Sequence, residues 1–261
     1  MLLATYTLWR RDIVRFLRQR SRVVGALGTP IIFWFLLGSG LGSSFRIGPD
    51  PSLTTGYLEY FYPGTIALIV LFTAIFSTIS VIEDRHEGFL QGVLVAPVPR
   101  SAIVLAKLLG GSTLAILQVT LFLLLAPVAH VRLDAQDVPL LLVILTLLAF
   151  ALTGLGFLLA WAIDSVQGFH AMMNLLLIPM WLLSGAVFPA SGAAGWIQIV
   201  MAINPLTYGV SALRIVLSSD IPLSAYHPGE PSLLFSLALI GGFAIAVAGA
   251  SVVLVGRRST V

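Results

Sequence analysis

Glu83, Asp84, His86 and Glu87 bring three acids and an imidazole into five consecutive positions, between two long apolar runs. Groups of these types could ligate a metal or pair with cations. Spacing gives the metal reading no support: His130, His170 and His227 fall in separate segments, so no ligand set follows. A second combination, His170 with Ser184, has the residue types of a hydrolase pair. On one helix these two are separated by about 21 Å along the axis and cannot share a proton within one chain. The sequence has no G-x-x-x-x-G-K-[ST] and a single lysine, Lys107, so the chain cannot hold ATP through a P-loop of its own. Absence of cysteine excludes disulfides and thiol catalysis. What remains for residues 83–87 is recognition by charge, and the elements that present them become the question.

Composition places those elements in a membrane. The chain is 58% hydrophobic and 10% charged, against about 25% charged for a soluble domain. Its mean hydropathy is +1.03. The net charge of +3 is spread over membrane boundaries and is no signal for nucleic acid. The first twenty residues lack the apolar core and cleavage site of a signal peptide. Apolar runs predict six spans, at 23–41, 63–82, 102–128, 138–163, 169–188 and 233–255. Tyr57, Tyr60, Phe61 and Tyr62 read as an aromatic belt at the far interface, with stacking on sugar rings as the alternative. Thr73, Ser77 and Ser80 form a hydroxyl stripe on the second span. His170, Asn174, Trp181 and Ser184 share a face of the fifth, the most polar of any span. These seven residues are candidates for a transport path or a seam between subunits; satisfied hydrogen bonds between helices are the alternative.

Between the second and third spans, residues 83–100 carry too much charge to lie in lipid. Phe89, Leu90, Val93, Leu94 and Pro97 recur at helical spacing, with Gly88, Gln91 and Gly92 on a second face. The spacing predicts a short amphipathic helix, stopped by Pro97 and Pro99, that needs a surface to dock into. Residues 1–22 predict another amphipathic helix. Trp9 joins Tyr6, Ile13, Phe16 and Leu17 on one side, while Arg11, Arg15, Arg18 and Arg22 line the other, as in a helix lying in the membrane interface. Within 189–230, Trp196–Ile203 and Leu206–Leu217 are apolar but too short to cross, and Asn204-Pro205 separates them. Two short helices entering and leaving the external leaflet fit this pattern. With six spans, all but Arg46, Arg132 and Arg214 of the 14 basic residues fall on one side, which orients both termini and residues 83–100 toward the cytoplasm.

Two stretches resemble the ABC-2 type exporter permeases. Asp84, Arg85, Gly88, Phe89, Leu90, Leu94, Pro97, Arg100, Lys107 and Gly110 match that family's cytoplasmic coupling segment. Asn204, Pro205, Leu206, Thr207, Tyr208 and Arg214 match its second, external signature. His86 stands where the family usually has Glu, and Ser211 where an acid is common. Which of Glu83, Asp84 and Glu87 meets an ATPase therefore stays open. The resemblance implies an all-α, six-span permease without catalytic residues, metal or cofactor of its own. ATP and Mg would sit on two copies of a separate ATPase, which would dock on residues 83–100, Arg100 included, and lean on the N-terminal helix with Trp9, Arg11, Arg15 and Arg18. It further implies a second permease copy, most simply a homodimer, in contact with membrane lipid in the cytoplasmic membrane of a prokaryote. The nearest branch is drug and antibiotic-resistance export. The expected cargo is a lipophilic drug, a lipid or a related amphipathic molecule. A polysaccharide or lipid-linked glycan exporter is the alternative within the family, and an ATP-independent channel or scaffold the alternative outside it.

Overall fold

A computed structural model describes residues 1–41, 57–131, 133–217 and 231–257. Among them the chain forms ten α-helices and no strand. They are α1 (Leu2–Arg18), α2 (Arg20–Leu41), α3 (Tyr57–His86), α4 (Phe89–Val95), α5 (Arg100–Leu123), α6 (Val138–Ala162), α7 (Val166–Leu182), α8 (Gly195–Ile203), α9 (Pro205–Leu217) and α10 (Leu233–Arg257). The polar stretch 43–56, the end of the 189–230 region, Arg46, Arg132 and Arg258 lie outside the described residues.

Among the described residues five helices are long and apolar enough to cross a membrane: α2, α3, α5, α6 and α10. They overlap five of the expected runs, but α3 starts at Tyr57 rather than 63 and α5 ends at Leu123 rather than 128. The remaining expected span, 169–188, is α7. Its 17 residues reach about 25 Å, the lower edge of spanning length. Ser165 starts this helix early, its Oγ accepting the Gly168 N–H at 3.0 Å. Pro179 occupies its last turn, and Gly185 takes a left-handed φ of 80° just beyond. The chain then reaches α8 and α9, which meet at 86°; together they are apolar enough for one further, broken span.

α3 is the central post, buried along most of its length between α2, α5 and α6. Small residues let its neighbours approach. A Cβ on Gly111 of α5 would come within 2.5 Å of Ser77 and of Thr153 in α6. The aromatic cluster at the start of α3 corrects an expectation: Tyr57, Tyr60, Phe61 and Tyr62 do not face outward as a belt but are all buried. Each tyrosine hydroxyl finds an internal carbonyl: Tyr57 donates to Val187 at 3.2 Å, Tyr60 to Gly185 at 3.1 Å and Tyr62 to Phe122 at 3.2 Å. A ring whose polar end has a protein partner has no need of the lipid headgroups. Trp34 of α2 closes this cluster edge-on against Tyr62 and Phe122, its Nε1 donating to the Leu58 carbonyl. By contrast, α2 exposes Ile32, Phe33, Phe35 and Leu36, and α10 exposes Leu234, Phe235, Ile245 and Val253. Such apolar outer faces suit a hydrocarbon solvent.

Candidate functional site

The densest polar construction gathers where α1 crosses the ends of α3 and α5. Asp84, in the last turn of α3, is 1% exposed at its side chain. Arg11 grips it with two bonds of 3.1 and 2.7 Å, Arg15 adds one of 2.7 Å, and Lys107 of α5 adds one of 2.6 Å. Lys107 spends its other protons on Asp12 Oδ1 and Ser80 Oγ, each at 3.0 Å. Arg15 continues outward to Glu87 at 2.6 Å and Glu83 at 3.2 Å. A lysine well inside an apolar helix needs such a cage, because a buried unpaired cation is strongly unfavourable. Trp9 fastens the same helix to α5 through Thr113 at 3.1 Å. The Arg11 guanidinium also lies 3.6 Å above the Phe89 ring, which seats the first turn of α4 against α1. Asp12 is buried, and burial pushes its carboxyl above the ordinary range while Lys107 pulls it back.

This arrangement redistributes the expected roles. Arg11 and Arg15 turn inward to α3 instead of outward to headgroups, while Arg18 is exposed. Asp84 has both oxygens engaged inside the chain, so it holds elements together; Glu87, 55% exposed, is the acid of the three nearest to solvent. Arg85 is likewise internal. It pairs with Asp164 at 2.5 Å, donates to the carbonyls of Ala160 and Trp161 and lies over the Trp161 ring. It thereby satisfies terminal carbonyls of α6. Gly88, at φ 75°, makes the turn into α4. Leu90 is buried, Phe89 and Leu94 are half-buried, and Pro97 is exposed. Arg100 donates to the Gly256 carbonyl at the end of α10, at 2.7 Å.

The candidate path residues do not form one face. Thr73 donates to Gln118 of α5 at 2.8 Å, Ser77 to the Ala74 carbonyl, and Ser80 lies in the charged cluster. Trp181 is buried with its Nε1 on the Gly64 carbonyl at 2.9 Å, and Ser184, beyond the end of α7, is buried as well. His170 and Asn174 alone of the four on that span are exposed. α7 ends at Leu182, so the fourteen-residue register stops short of Ser184, while Trp181, still on the helix, is packed inward. The second matching stretch, around Asn204, is a joint. Asn204 donates to the carbonyls of Met180 and Leu183 at 2.6 and 2.9 Å and accepts the Leu206 N–H, capping α9 with Pro205 at its first position. Tyr208 donates to the Ala202 carbonyl at 2.6 Å. Arg214 is buried, donates to the Gly185 carbonyl at 2.8 Å and lies over the Tyr60 ring.

Asp12 was absent from the expected site. It is the only acid before Asp50, set among six arginines and in register with Trp9 and Phe16. That isolation was the readable signal, together with a lone lysine seven residues into a span that required a carboxylate.

The ABC-2 type transporter family model matches residues 4–218, from α1 through α9. The chain belongs to the ABC-2 type transporter family. Curated relatives agree. It is 27% identical over 216 residues to a putative transport permease, ycf38, of Cyanophora paradoxa, covering 82% of this chain and 73% of the relative. It is 28% identical over 226 residues to nodulation protein J of Rhizobium meliloti (strain 1021), covering 85% and 84%. Nodulation protein J of Neorhizobium galegae is 26% identical over 241 residues, 90% of each chain. As an ABC-2 type chain with five to six apolar helices of spanning character, it is a multi-pass membrane protein. The matched residues take in both the charged cluster and the Asn204 joint of this ABC-2 chain.

Proposed function

We propose that the chain is the membrane subunit of an ATP-driven exporter. It works as two copies with two copies of a separate ATPase carrying ATP and Mg, in the cytoplasmic membrane of a prokaryote. The charged cluster carries this reading. It fastens α1, α3, α5 and, through Phe89, α4 into one block, while Gln91, Gly92 and Val95 of α4 remain exposed. A push on α4 would reach the spans through that block. For cargo, α7 exposes His170 and Asn174 among Met172, Leu175 and Ile178. An imidazole and an amide on an apolar surface suit a lipid-soluble amphipathic molecule. A glycan would call for stacking rings, and Trp181 and the α3 tyrosines are turned inward.

The test is reconstitution with the partner ATPase in proteoliposomes. Lipophilic drugs or lipids are expected to stimulate ATP hydrolysis, and Gly92→Trp to lose that stimulation at unchanged insertion and yield. Gly92 is the better probe than Gly88: a side chain added there meets nothing within 4 Å, whereas Gly88 has a left-handed φ that any side chain would strain. Stimulation by a glycan alone would overturn the cargo; a normal response in Gly92→Trp would overturn docking on α4.

Orientation is tested separately. The distribution of arginines expects Gln91→Cys to resist a membrane-impermeant thiol reagent in intact cells and Gly192→Cys to react. Both sites are exposed, and the chain has no other cysteine. Labelling of Gln91→Cys in intact cells would reverse the orientation.

A further inference from the structure

Asp12 keeps an oxygen without a partner. Oδ1 takes Lys107, but Oδ2 is buried and makes no hydrogen bond, on a side chain only 9% exposed. Asp12 lines a small cavity of about 10 Å³ together with Ser77, Ser80, Lys107, Gly110 and Gly111. That volume is room for about one water. Gly110 keeps it open on the Oδ2 side: a Cβ there would stand 3.5 Å from the Asp12 Cβ and 4.0 Å from Oδ2.

The donors around the cavity are already committed. Lys107 spends its three protons on Asp12, Ser80 and Asp84. Ser77 and Ser80 donate to the carbonyls of Ala74 and Ser77. Arg11 and Arg15 are taken by Asp84, Glu83 and Glu87. The hydroxyls of Ser77 and Ser80 can therefore only accept from a cavity occupant, as Oδ2 can. Among the described residues, the charges facing Asp12 are Arg11 and Arg15 on its own helix, Lys107 on α5 and Asp84 on α3, with Glu83 and Glu87 behind Arg15. An unsatisfied carboxylate oxygen and a water-sized space coincide.

We propose that this cavity is a proton-binding site, in which Asp12 carries an exchangeable proton on Oδ2 and donates it to one enclosed water that also meets the Ser77 hydroxyl. The proton comes from a hydronium ion: an O–H bond forms on the carboxylate and neutral water is left. On alkalinisation it returns to hydroxide as water, and Asp12 regains its negative charge. The direction of the Asp12 shift fixes the sign. Because burial raises its proton affinity in the folded chain, the contribution of Asp12 to the attachment of α1 is fully present below the ordinary carboxylate range. It weakens as pH rises through the raised value.

The experiment is infrared difference spectroscopy of the full chain in lipid nanodiscs between mildly acidic and alkaline pH, in H₂O and D₂O. The wild type is expected to lose a protonated-carboxyl C=O band on alkalinisation. Asp12→Asn is expected to lack the band, and Ser77→Ala to keep it at a shifted frequency because the water has lost a partner. Amide exchange over residues 9–16, corrected for intrinsic rate, is expected to speed up with pH in the wild type and to stay flat in Asp12→Asn. If Asp12→Asn fails to insert, the Ser77→Ala shift carries the test. No such band in the wild type, or an identical band in Asp12→Asn or an unshifted one in Ser77→Ala, would make Asp12 a plain ion-pair partner of Lys107. The readout needs neither cargo nor ATPase, so it stands or falls apart from the export reading.

Discussion

Asp84→Asn is expected to destabilise the folded chain by about 3–5 kcal/mol, the range for removing one partner of a buried ion pair. The size follows from what the change strands. Arg11, Arg15 and Lys107 all converge on this carboxylate, at 2.6–3.1 Å. An amide can accept at one oxygen, but its NH₂ would point a donor at cations. Lys107, 7% exposed, cannot turn to water instead. Glu87→Gln is the matched control. Glu87 bonds the same Arg15 yet is 55% exposed, so its loss should stay within about 1 kcal/mol. Denaturation midpoints in detergent measure both. Equal small effects would mean that the cluster is solvated, and that α1 is not held by it.

Gly64→Val is expected to cost about 3 kcal/mol, the upper end of the usual range for overpacking. Near the start of α3, Gly64 touches the chain just past α7. A Cβ there would lie 2.8 Å from the Ala186 Cβ, 2.8 Å from its carbonyl oxygen and 2.9 Å from its Cα. Backbone atoms cannot swing aside as a side-chain tip can. The Gly64 carbonyl also accepts Trp181 Nε1, so separating the segments would strand a buried indole N–H. Gly192→Val, where an added Cβ meets nothing within 4 Å, should change stability by no more than about 0.5 kcal/mol. Thermal unfolding in nanodiscs compares them. Equal midpoints would mean that the junction between α3 and the chain past α7 yields freely.

The apolar architecture was legible because each long helix carries its own signal. The run 138–163 became α6, Val138–Ala162, almost residue for residue, since twenty-odd apolar residues have few other solutions in lipid. The short helix after Gly88 and the break at Asn204 were likewise written locally, in glycine, proline and amphipathic spacing. What could not be read was pairing across the chain. Arg11 and Arg15 looked like headgroup ligands because Asp84 lies about seventy positions away, and no local pattern announces an inward salt bridge. The α3 tyrosines looked like a belt because Val187 and Gly185, which receive two of their hydroxyls, are farther still. His170 and Ser184 seemed to share a face because helical periodicity says nothing of where the helix stops, and α7 stops at Leu182.

The carbonyl of Gly185 accepts from Tyr60, 125 positions earlier, and from Arg214, 29 positions later. During synthesis the tyrosines of α3 thus leave the ribosome long before the groups that receive them. Until α7 and the turn at Gly185 have emerged, the Tyr60 hydroxyl can only stay near water or find a temporary acceptor. The ring of Tyr60 completes its stack only when Arg214 follows. This end of the bundle therefore closes only after α9 has been made, and α3 waits with its aromatic end unfinished while α5 and α6 are being added beside it.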